Sequence, residues 1–190
     1  MINLFINYFN HPNPIRQSEI KECLSKNLKN PNLTIYIIDG RPNYCDFFKK
    51  INEITTKNDI NIIANADIYF DKTIKLVKNI KENECYALCR WNVLKNRDVV
   101  FYNHIDSQDV WIFRGKIKEV HNADFPLGKM GCDNAIADRL SNAGYTMLSP
   151  SEQIKTYHLH LSNIHNYSNE ERNEQTVVQP PYLILPFIKL

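Results

Sequence analysis

Glycine is scarce in this sequence, and so are the motifs that depend on it. Only five of the 190 residues are glycine. None forms a Gly-x-Gly-x-x-Gly run after the first predicted strand, and the sequence has no Walker loop, no serine nucleophile elbow and no paired-cysteine zinc spacing. These absences count against the commonest dinucleotide-binding, nucleotide-hydrolysing, serine-hydrolase and zinc-binding classes of α/β protein.

Long apolar runs and a surplus of one charge are also missing. The longest apolar candidate, YLILPFIKL at 182–190, is short and broken by Pro186, and the N-terminal residues lack a basic leader and a cleavage site. Lysine and arginine number 23 against 21 acidic residues and are scattered along the chain. We therefore expect a soluble protein with no membrane span, and its charge demands no nucleic acid as a partner.

The few cysteines do not suggest disulfides. Cys85 and Cys89 lie four positions apart on one predicted strand, so roughly 13 Å separates them, which is too far for a bond. We interpret all the cysteines as reduced, buried, small hydrophobic residues of a cytoplasmic protein. They are Cys23, Cys45, Cys85, Cys89 and Cys132.

The first 80 residues alternate between strand-like and helix-like patterns. Apolar strands are predicted at 2–9, 33–39 and 60–64. Amphipathic helices are predicted at 14–28, 44–54 and 72–81. Asn13 and Asp71 are well placed to cap the first and the third helix. This alternation predicts an α/β fold with a parallel sheet, helices on both faces and ligands at the carboxyl ends of the strands.

The second half of the chain changes rhythm. The segments CYALCRW, DVVFYN and DVWIFRG predict short strands without helices between them, and therefore a mixed sheet with antiparallel members. Asp133 is predicted to cap a helix that ends at Gly144. A last strand at 154–162 puts His158 and His160 on one face.

One domain is predicted over residues 1–165. The sequence then becomes polar and rich in Asn and Glu, before Pro180 and Pro181 lead into an apolar tail. We interpret 166–190 as a polar linker and a C-terminal tail, which either docks back on the domain or continues into a further segment.

Four segments carry a resemblance to a known family: NIIANADIYFD (61–71), SQDVWIF (107–113), GCDNAIADRL (131–140) and YHLHLS (157–162). Together they resemble a small glycosyltransferase of the A-type (GT-A) fold, similar to glycosyltransferase-like domains of large DNA viruses and some bacteria. The similarity spans most of 1–165. It implies a mixed central sheet flanked by helices, and metal-dependent transfer of a sugar from a nucleotide diphosphate donor to a hydroxyl group of a glycan or glycoprotein. UDP is the expected nucleotide because it prevails in that family.

The resemblance implies a cation site at Asn65-Ala66-Asp67, where the family has an Asp-x-Asp motif. A bound Mn²⁺ or Mg²⁺ stabilises the negative charge on a departing diphosphate, and such cations take oxygen ligands. Asp67 supplies the carboxylate, whereas Asn65 replaces the first Asp of the motif and contacts the donor. In the alternative interpretation, Asp67 merely caps the turn after the strand.

Two histidines late in the chain are similar to the histidine that completes the cation site in this family. His158 is interpreted as a metal ligand and His160 as a group near the nucleotide, although the sequence leaves open which of the two binds the metal. Imidazole beside a carboxylate favours Mn²⁺ over Mg²⁺. Otherwise both are partly exposed polar residues of a strand.

Two carboxylates compete for the role of catalytic base, which takes a proton from the acceptor hydroxyl in an inverting reaction. Asp133 is expected to stay ionised, because the amides and dipole of a helix N-terminus favour its anion. Asp109 in SQDVWIF is the competitor. Asp133 could instead be only an N-cap, and Asp109 only the start of a strand.

The remaining candidates follow from the resemblance and from side-chain chemistry. Asp39, at the end of the second predicted strand, corresponds in position to a carboxylate that contacts the ribose or base, and Arg90 could pair with a phosphate. Trp91, Gln108 and Asn134 are candidates for contacts with the sugar or acceptor. Asp39 also fits an Asp-Gly turn, and Trp91 also fits core packing.

Two other functions remain open. A sugar-phosphate nucleotidyltransferase shares the aspartate at the strand end and the metal, but NYFNHPNPIRQ at 7–17 lacks the glycines of its basic loop. A degenerate, non-catalytic domain that binds glycan or nucleotide would explain Asn65 in place of Asp.

Overall fold

A computed structural model describes residues 1–162, 164 and 178–190. This part of the chain contains three α-helices, α1 (Pro14–Leu28), α2 (Tyr44–Ile54) and α3 (Cys132–Asn142), and a 3-10 helix, Lys72–Asn79. Its strands are β1 (Ile2–Tyr8), β2 (Thr34–Asp39), β3 (Ile60–Ala64), β4 (Ile68–Phe70), β5 (Glu84–Leu88), β6 (Trp91–Val93), β7 (Val99–Phe101), β8 (Val110–Arg114), β9 (Thr146–Leu148) and β10 (Thr156–His158).

The larger sheet has the strand order β2-β1-β3-β8-β5-β9. β1 pairs in parallel with β2 and β3, β8 runs antiparallel between β3 and β5, and β9 is parallel to β5. The predicted α/β class with a mixed sheet is therefore confirmed. The carboxyl ends of β1, β2 and β3 lie at one edge of this sheet.

Each face of the larger sheet has its own hydrophobic core. Phe5 of β1 points to the core that contains Phe47 of α2 and Ile136 of α3. Leu4, its neighbour in β1, points to the core that contains Ile74 of the 3-10 helix. β3 is buried along its whole length because both faces are covered, as is usual for a central strand between helical layers.

Two of the helices begin at the cap residues that the sequence predicts. Asn13 caps α1 by accepting hydrogen bonds from the backbone amides of Ile15 and Arg16, as predicted. Asp71 caps the helix at Lys72–Asn79, as predicted, but that helix is of the 3-10 type. The three-residue spacing of its apolar stripe matches the three residues per turn of a 3-10 helix.

The predicted N-cap of α3 is wrong. Gly131 is the cap residue, in the left-handed conformation with a φ of 76°. A residue with a β-carbon is strained at that φ, so glycine occupies the cap and Asp133 becomes the second residue inside the helix.

A smaller sheet with the order β4-β10-β6-β7 extends from the end of β3. β10 is shorter than the predicted strand at 154–162. It pairs antiparallel with β4, which puts His158 opposite Ile68, and parallel with β6, which puts His158 opposite Asn92. Since Ile68 directly follows Asp67, this register brings a residue from late in the chain to the carboxyl end of β3.

The C-terminal segment 178–190 packs against the domain. The amide of Val178 donates to the carbonyl of Met130 at 3.0 Å, and the amide of Leu185 donates to the carbonyl of Ile105 at 3.1 Å. Both apolar side chains are buried in the core on the α2 and α3 face. The predicted boundary between 165 and 166, and most of the predicted linker, lie outside the described residues.

All five cysteines are free thiols. No helix within the described ranges combines the length and the apolar character that crossing a bilayer requires.

Candidate functional site

A cavity of about 210 Å³ lies at the carboxyl ends of β1 and β3. Many of the residues singled out in the sequence line it, namely Asn65, Asp67, Arg90, Asp109, His158 and His160. Arg16 of α1 also lines the cavity. The structure thus gathers residues from five separate stretches of the chain around one space at the predicted edge of the sheet.

Asp67, His158 and His160 form a group that could hold a metal ion. One ligand atom from each residue lies within 4.8 Å of the others. The two imidazole rings are perpendicular, with centroids 5.5 Å apart. One carboxylate oxygen and two imidazole nitrogens suit a cation that accepts both atom types, so this donor set fits Mn²⁺ better than Mg²⁺.

Asp67 is a buried carboxylate with strong partners. Its Oδ2 atom accepts from Arg16 Nη2 at 2.5 Å and contacts His158 Nε2 at 3.0 Å. Burial alone would raise the pKa of Asp67, but the charge and hydrogen bonds of His158 and Arg16 outweigh burial and hold that pKa well below its usual range. Asp67 is therefore an anion at any physiological pH, as a metal ligand must be.

A second residue orients the ring of His158. Its Nδ1 atom lies 3.3 Å from Asn92 Oδ1, and Arg90 Nε donates to the same oxygen at 3.2 Å. Because that oxygen accepts from Arg90, it is also the acceptor for His158, whose Nε2 then faces Asp67. An outer hydrogen bond of this kind fixes the direction of a metal-binding histidine.

His160 lies two residues after the end of β10 and also lines the cavity. Its Nε2 atom donates to the carbonyl of Ile164 at 2.9 Å. Burial lowers the pKa of His160, and the nearby positive charge of Arg16 lowers it further. The ring is therefore neutral at pH 7, which is the form that can donate a lone pair to a metal.

Arg16 is the main residue of the cavity that the sequence analysis missed. It is only 5% exposed and contacts two carboxylates, Asp67 through Nη2 and Glu19 through Nη1 at 3.0 Å. Burial lowers the pKa of Arg16, but Asp67 and Glu19 more than compensate and raise it. A basic residue in the first turn of a helix interacts unfavourably with the helix dipole. Because such exceptions to the local rules are expected at functional sites, the position of Arg16 could have marked it as a site residue.

Asp109 belongs to a second, partly buried ion pair on the cavity wall. Its Oδ1 accepts from Asn65 Nδ2 at 2.9 Å, and its Oδ2 accepts from Arg90 Nη1 at 3.1 Å. The guanidinium of Arg90 also lies 4.0 Å over the ring of Tyr102. Asn65 therefore orients Asp109.

Asp133 is not among the residues that line the cavity. Its Oδ2 atom accepts from the backbone amide of Gln108 at 3.3 Å. Burial and the charge of Asp109 raise the pKa of Asp133 to about 6, although backbone hydrogen bonds act to lower it. This direction is the opposite of the predicted one, because burial and a like charge outweigh the helix N-terminus.

Gln108 and Asn134 flank Asp133. Gln108 is buried, and its Nε2 donates to the carbonyl of Ile105 at 2.9 Å. The amide of Asn134, oriented to satisfy its neighbours, donates to the carbonyl of Asp106 at 2.6 Å and to Asp133 Oδ1 at 3.1 Å. The side chain of Asn134 and the backbone amide of Gln108 thus join the loop before β8 to α3, whereas the side chain of Gln108 bonds within that loop.

Trp91 and Asp39 lie away from the cavity lining. Trp91 Nε1 donates to the carbonyl of Ser151 at 2.9 Å, and the ring packs between Lys155, 4.5 Å from its centroid, and Phe101. Asp39 is exposed at the end of the edge strand β2. The structure does not bring either residue to the group formed by Asp67, His158 and His160.

Comparison of the chain with protein-family models finds no match, and comparison with curated proteins finds no relative of significant similarity.

Proposed function

We propose that this protein is a metal-dependent glycosyltransferase with a GT-A-like fold, which transfers a sugar from a nucleotide diphosphate donor to a hydroxyl group of a glycan or glycoprotein. UDP is the proposed nucleotide, the stereochemistry is inverting, and the reaction takes place in the cytoplasm. The resemblance in four sequence segments suggests this function, and the geometry of the cavity supports it.

One observation carries the proposal, namely the convergence of Asp67, His158 and His160 in a cavity that two arginines also line. Asp67, His158 and His160 would hold the divalent cation. When bound, that cation offsets the negative charge that develops on the departing diphosphate. Arg16 and Arg90, which are paired with Asp67 and Asp109 in the structure, are the lining arginines that would bind phosphate oxygens.

Asp109 lines the cavity and Asp133 does not, but Asp133 has the more suitable partners for a base. A proton on Asp109 would break its ion pair with Arg90, whereas the two groups that donate to Asp133, the backbone amide of Gln108 and the side chain of Asn134, are neutral. Asp133 has a pKa of about 6, because of burial and the charge of Asp109, and is mostly ionised at pH 7. A base with a pKa near the working pH is the most effective. The acceptor oxygen attacks the sugar's anomeric carbon as the bond from that carbon to the diphosphate oxygen breaks, the acceptor's proton passes to Asp133, and the nucleoside diphosphate leaves. Attack from the side opposite the leaving diphosphate inverts the anomeric carbon.

A panel of nucleotide sugars, each with and without Mn²⁺, tests the proposal through thermal stability and slow donor hydrolysis. We expect a Mn²⁺-dependent rise in melting temperature with one nucleotide, and release of its diphosphate from the matching donor. Both effects should disappear in Asp67→Asn and persist in Asp98→Asn, a matched change at an exposed aspartate outside the cavity lining.

The two other functions predict different results in the same panel. A non-catalytic domain would bind nucleotide without releasing diphosphate from any donor. A nucleotidyltransferase would instead form a nucleotide sugar from a nucleoside triphosphate and a sugar phosphate. If Mn²⁺-dependent stabilisation survives in Asp67→Asn, the proposed metal site is wrong.

A further inference from the structure

Arg16 is bound to the carboxylate of Asp67, which the proposed cation needs as a ligand. Its Nη2 atom and His158 Nε2 both contact the same oxygen of Asp67. The side chains of Arg16 and Asp67 are only 6% and 10% exposed, so water does little to weaken their attraction. A cation that binds Asp67 must therefore compete with a buried guanidinium.

Arg16 is nevertheless incompletely satisfied in this position. Its Nε atom is buried and has no hydrogen-bond partner among the described residues. Its other contacts are Glu19, whose carboxylate is held by Ser162, and the carbonyl of Leu159. Because Glu19 remains beside it, the guanidinium would keep one anionic partner if it left Asp67.

We propose that Arg16 is an internal counter-ion of Asp67, which moves to a diphosphate oxygen when a divalent cation takes its place at that carboxylate. Cation and diphosphate then bind cooperatively, beyond the attraction that they have for one another in solution. This inference rests on the proposed function, because it concerns the same cation and the same diphosphate.

The cooperativity follows from the charges in the cavity. A cation alone breaks the buried pair and leaves two positive charges together, which is costly without a new anion. A diphosphate alone meets the carboxylate of Asp67 while Arg16 is still bound to it. With both ligands present, Asp67 faces the cation and Arg16 faces a phosphate, to which guanidinium groups bind through paired hydrogen bonds.

Isothermal titration calorimetry of Mn²⁺ alone, and of UDP at saturating Mn²⁺, tests this inference in the full chain. Arg16→Gln removes the counter-ion, and Arg97→Gln removes an exposed arginine that pairs with Glu22 on the outside of α1. We expect Arg16→Gln to bind Mn²⁺ alone about tenfold more tightly than the wild type and UDP with Mn²⁺ about tenfold more weakly, a size typical of coupling between ligands. Arg97→Gln should match the wild type in both titrations.

If Arg16 has a purely structural role, the change in Mn²⁺ affinity should have the opposite sign. Loss of a structural residue would weaken the binding of Mn²⁺ alone as well as that of UDP, and this result, or unchanged affinities, would overturn the inference. If Arg16→Gln does not fold, a crystal structure of the wild type with Mn²⁺ and UDP decides the matter. Arg16 should lie within hydrogen-bond distance of a phosphate oxygen, and an intact Arg16 to Asp67 pair beside the bound cation would overturn the inference.

Failure of the proposed function gives a separate result. If the wild type binds neither Mn²⁺ nor UDP in any combination, the proposed function falls, and the inference falls with it. If Mn²⁺ and UDP bind together but Arg16→Gln does not tighten Mn²⁺ binding, the function stands and only the role of Arg16 is wrong.

Discussion

Replacing Asp133 with Asn should stabilise the protein while abolishing transfer. Burial, followed by the charge of Asp109, raises the pKa of the Asp133 carboxyl from 3.8 to about 6. Because one pKa unit corresponds to about 1.4 kcal/mol, the ionised carboxylate costs the folded state at most roughly 3 kcal/mol at neutral pH. Asparagine is never charged and can still accept the hydrogen bond from Gln108, but its amino group cannot accept the one from Asn134. Because a lost hydrogen bond costs about 1 kcal/mol, Asp133→Asn should gain about 1 to 2 kcal/mol in free energy of unfolding.

The stability difference between Asp133→Asn and the wild type should depend on pH, because Asp133 titrates at different pH values in the folded and the unfolded state. Between about pH 4 and pH 6, Asp133 is protonated in the folded state and ionised in the unfolded state, so the stability of the wild type falls as the pH rises. Above about pH 6 the cost is complete, and below about pH 4 it vanishes because the group is protonated in both states. The advantage of Asp133→Asn should therefore be full at pH 7.5 and absent near pH 3.5.

Urea unfolding at these two pH values measures the difference, with Asp98→Asn as the exposed control, which should change stability by less than about 0.5 kcal/mol. Transfer should fall by roughly 10² to 10⁴ in Asp133→Asn, because the proposed catalytic base is lost. If Asp133→Asn is less stable than the wild type at pH 7.5, the reasoning is refuted. Replacing an aspartate whose role is purely structural would lower the stability of the protein in this way.

Further predictions concern the scaffold of the site, and chemical denaturation tests each of them. Asn13→Ala removes the acceptor for the amides of Ile15 and Arg16 and should cost about 1 kcal/mol, whereas an unchanged stability would contradict the role of Asn13 as a cap. Gly115→Ala should cost about 1 to 3 kcal/mol, because the φ of Gly115 is +76° and a new β-carbon would lie 3.1 Å from the carbonyl oxygen of Lys57. Gly40→Ala should cost less, because its β-carbon would meet no described atom within 4 Å, and equal losses would show that crowding at Lys57 is unimportant.

Local signals in the sequence predict much of the fold. Asn13 followed by Pro14 marks the start of α1, and the stripe from Tyr44 to Ile51 marks the buried face of α2. These features depend on residues a few positions apart, where helix geometry alone decides which side chains share a face. The segment that forms β3, which is apolar except for Asn61, likewise indicates a central strand.

Long-range pairings are what the sequence does not reveal. The hydrogen bond between Arg16 and Asp67 joins residues 51 positions apart, and the contact between His158 and Asp67 spans 91 positions. Both depend on strand registers and helix packing that no local pattern specifies. The position of Asp133 within α3 is not predicted for a different reason, because Gly131, in the left-handed conformation, takes the N-cap position that the sequence rules assign to aspartate.

The central claim is that Asp67, His158 and His160 hold a divalent cation beside a nucleotide diphosphate. Anomalous diffraction at the manganese edge, from crystals soaked with Mn²⁺ and UDP, tests this claim most directly. We predict one strong anomalous peak within bonding distance of Asp67 and at least one of the two histidines, next to density for the diphosphate. Bound UDP without an anomalous peak at these three residues would contradict the claim.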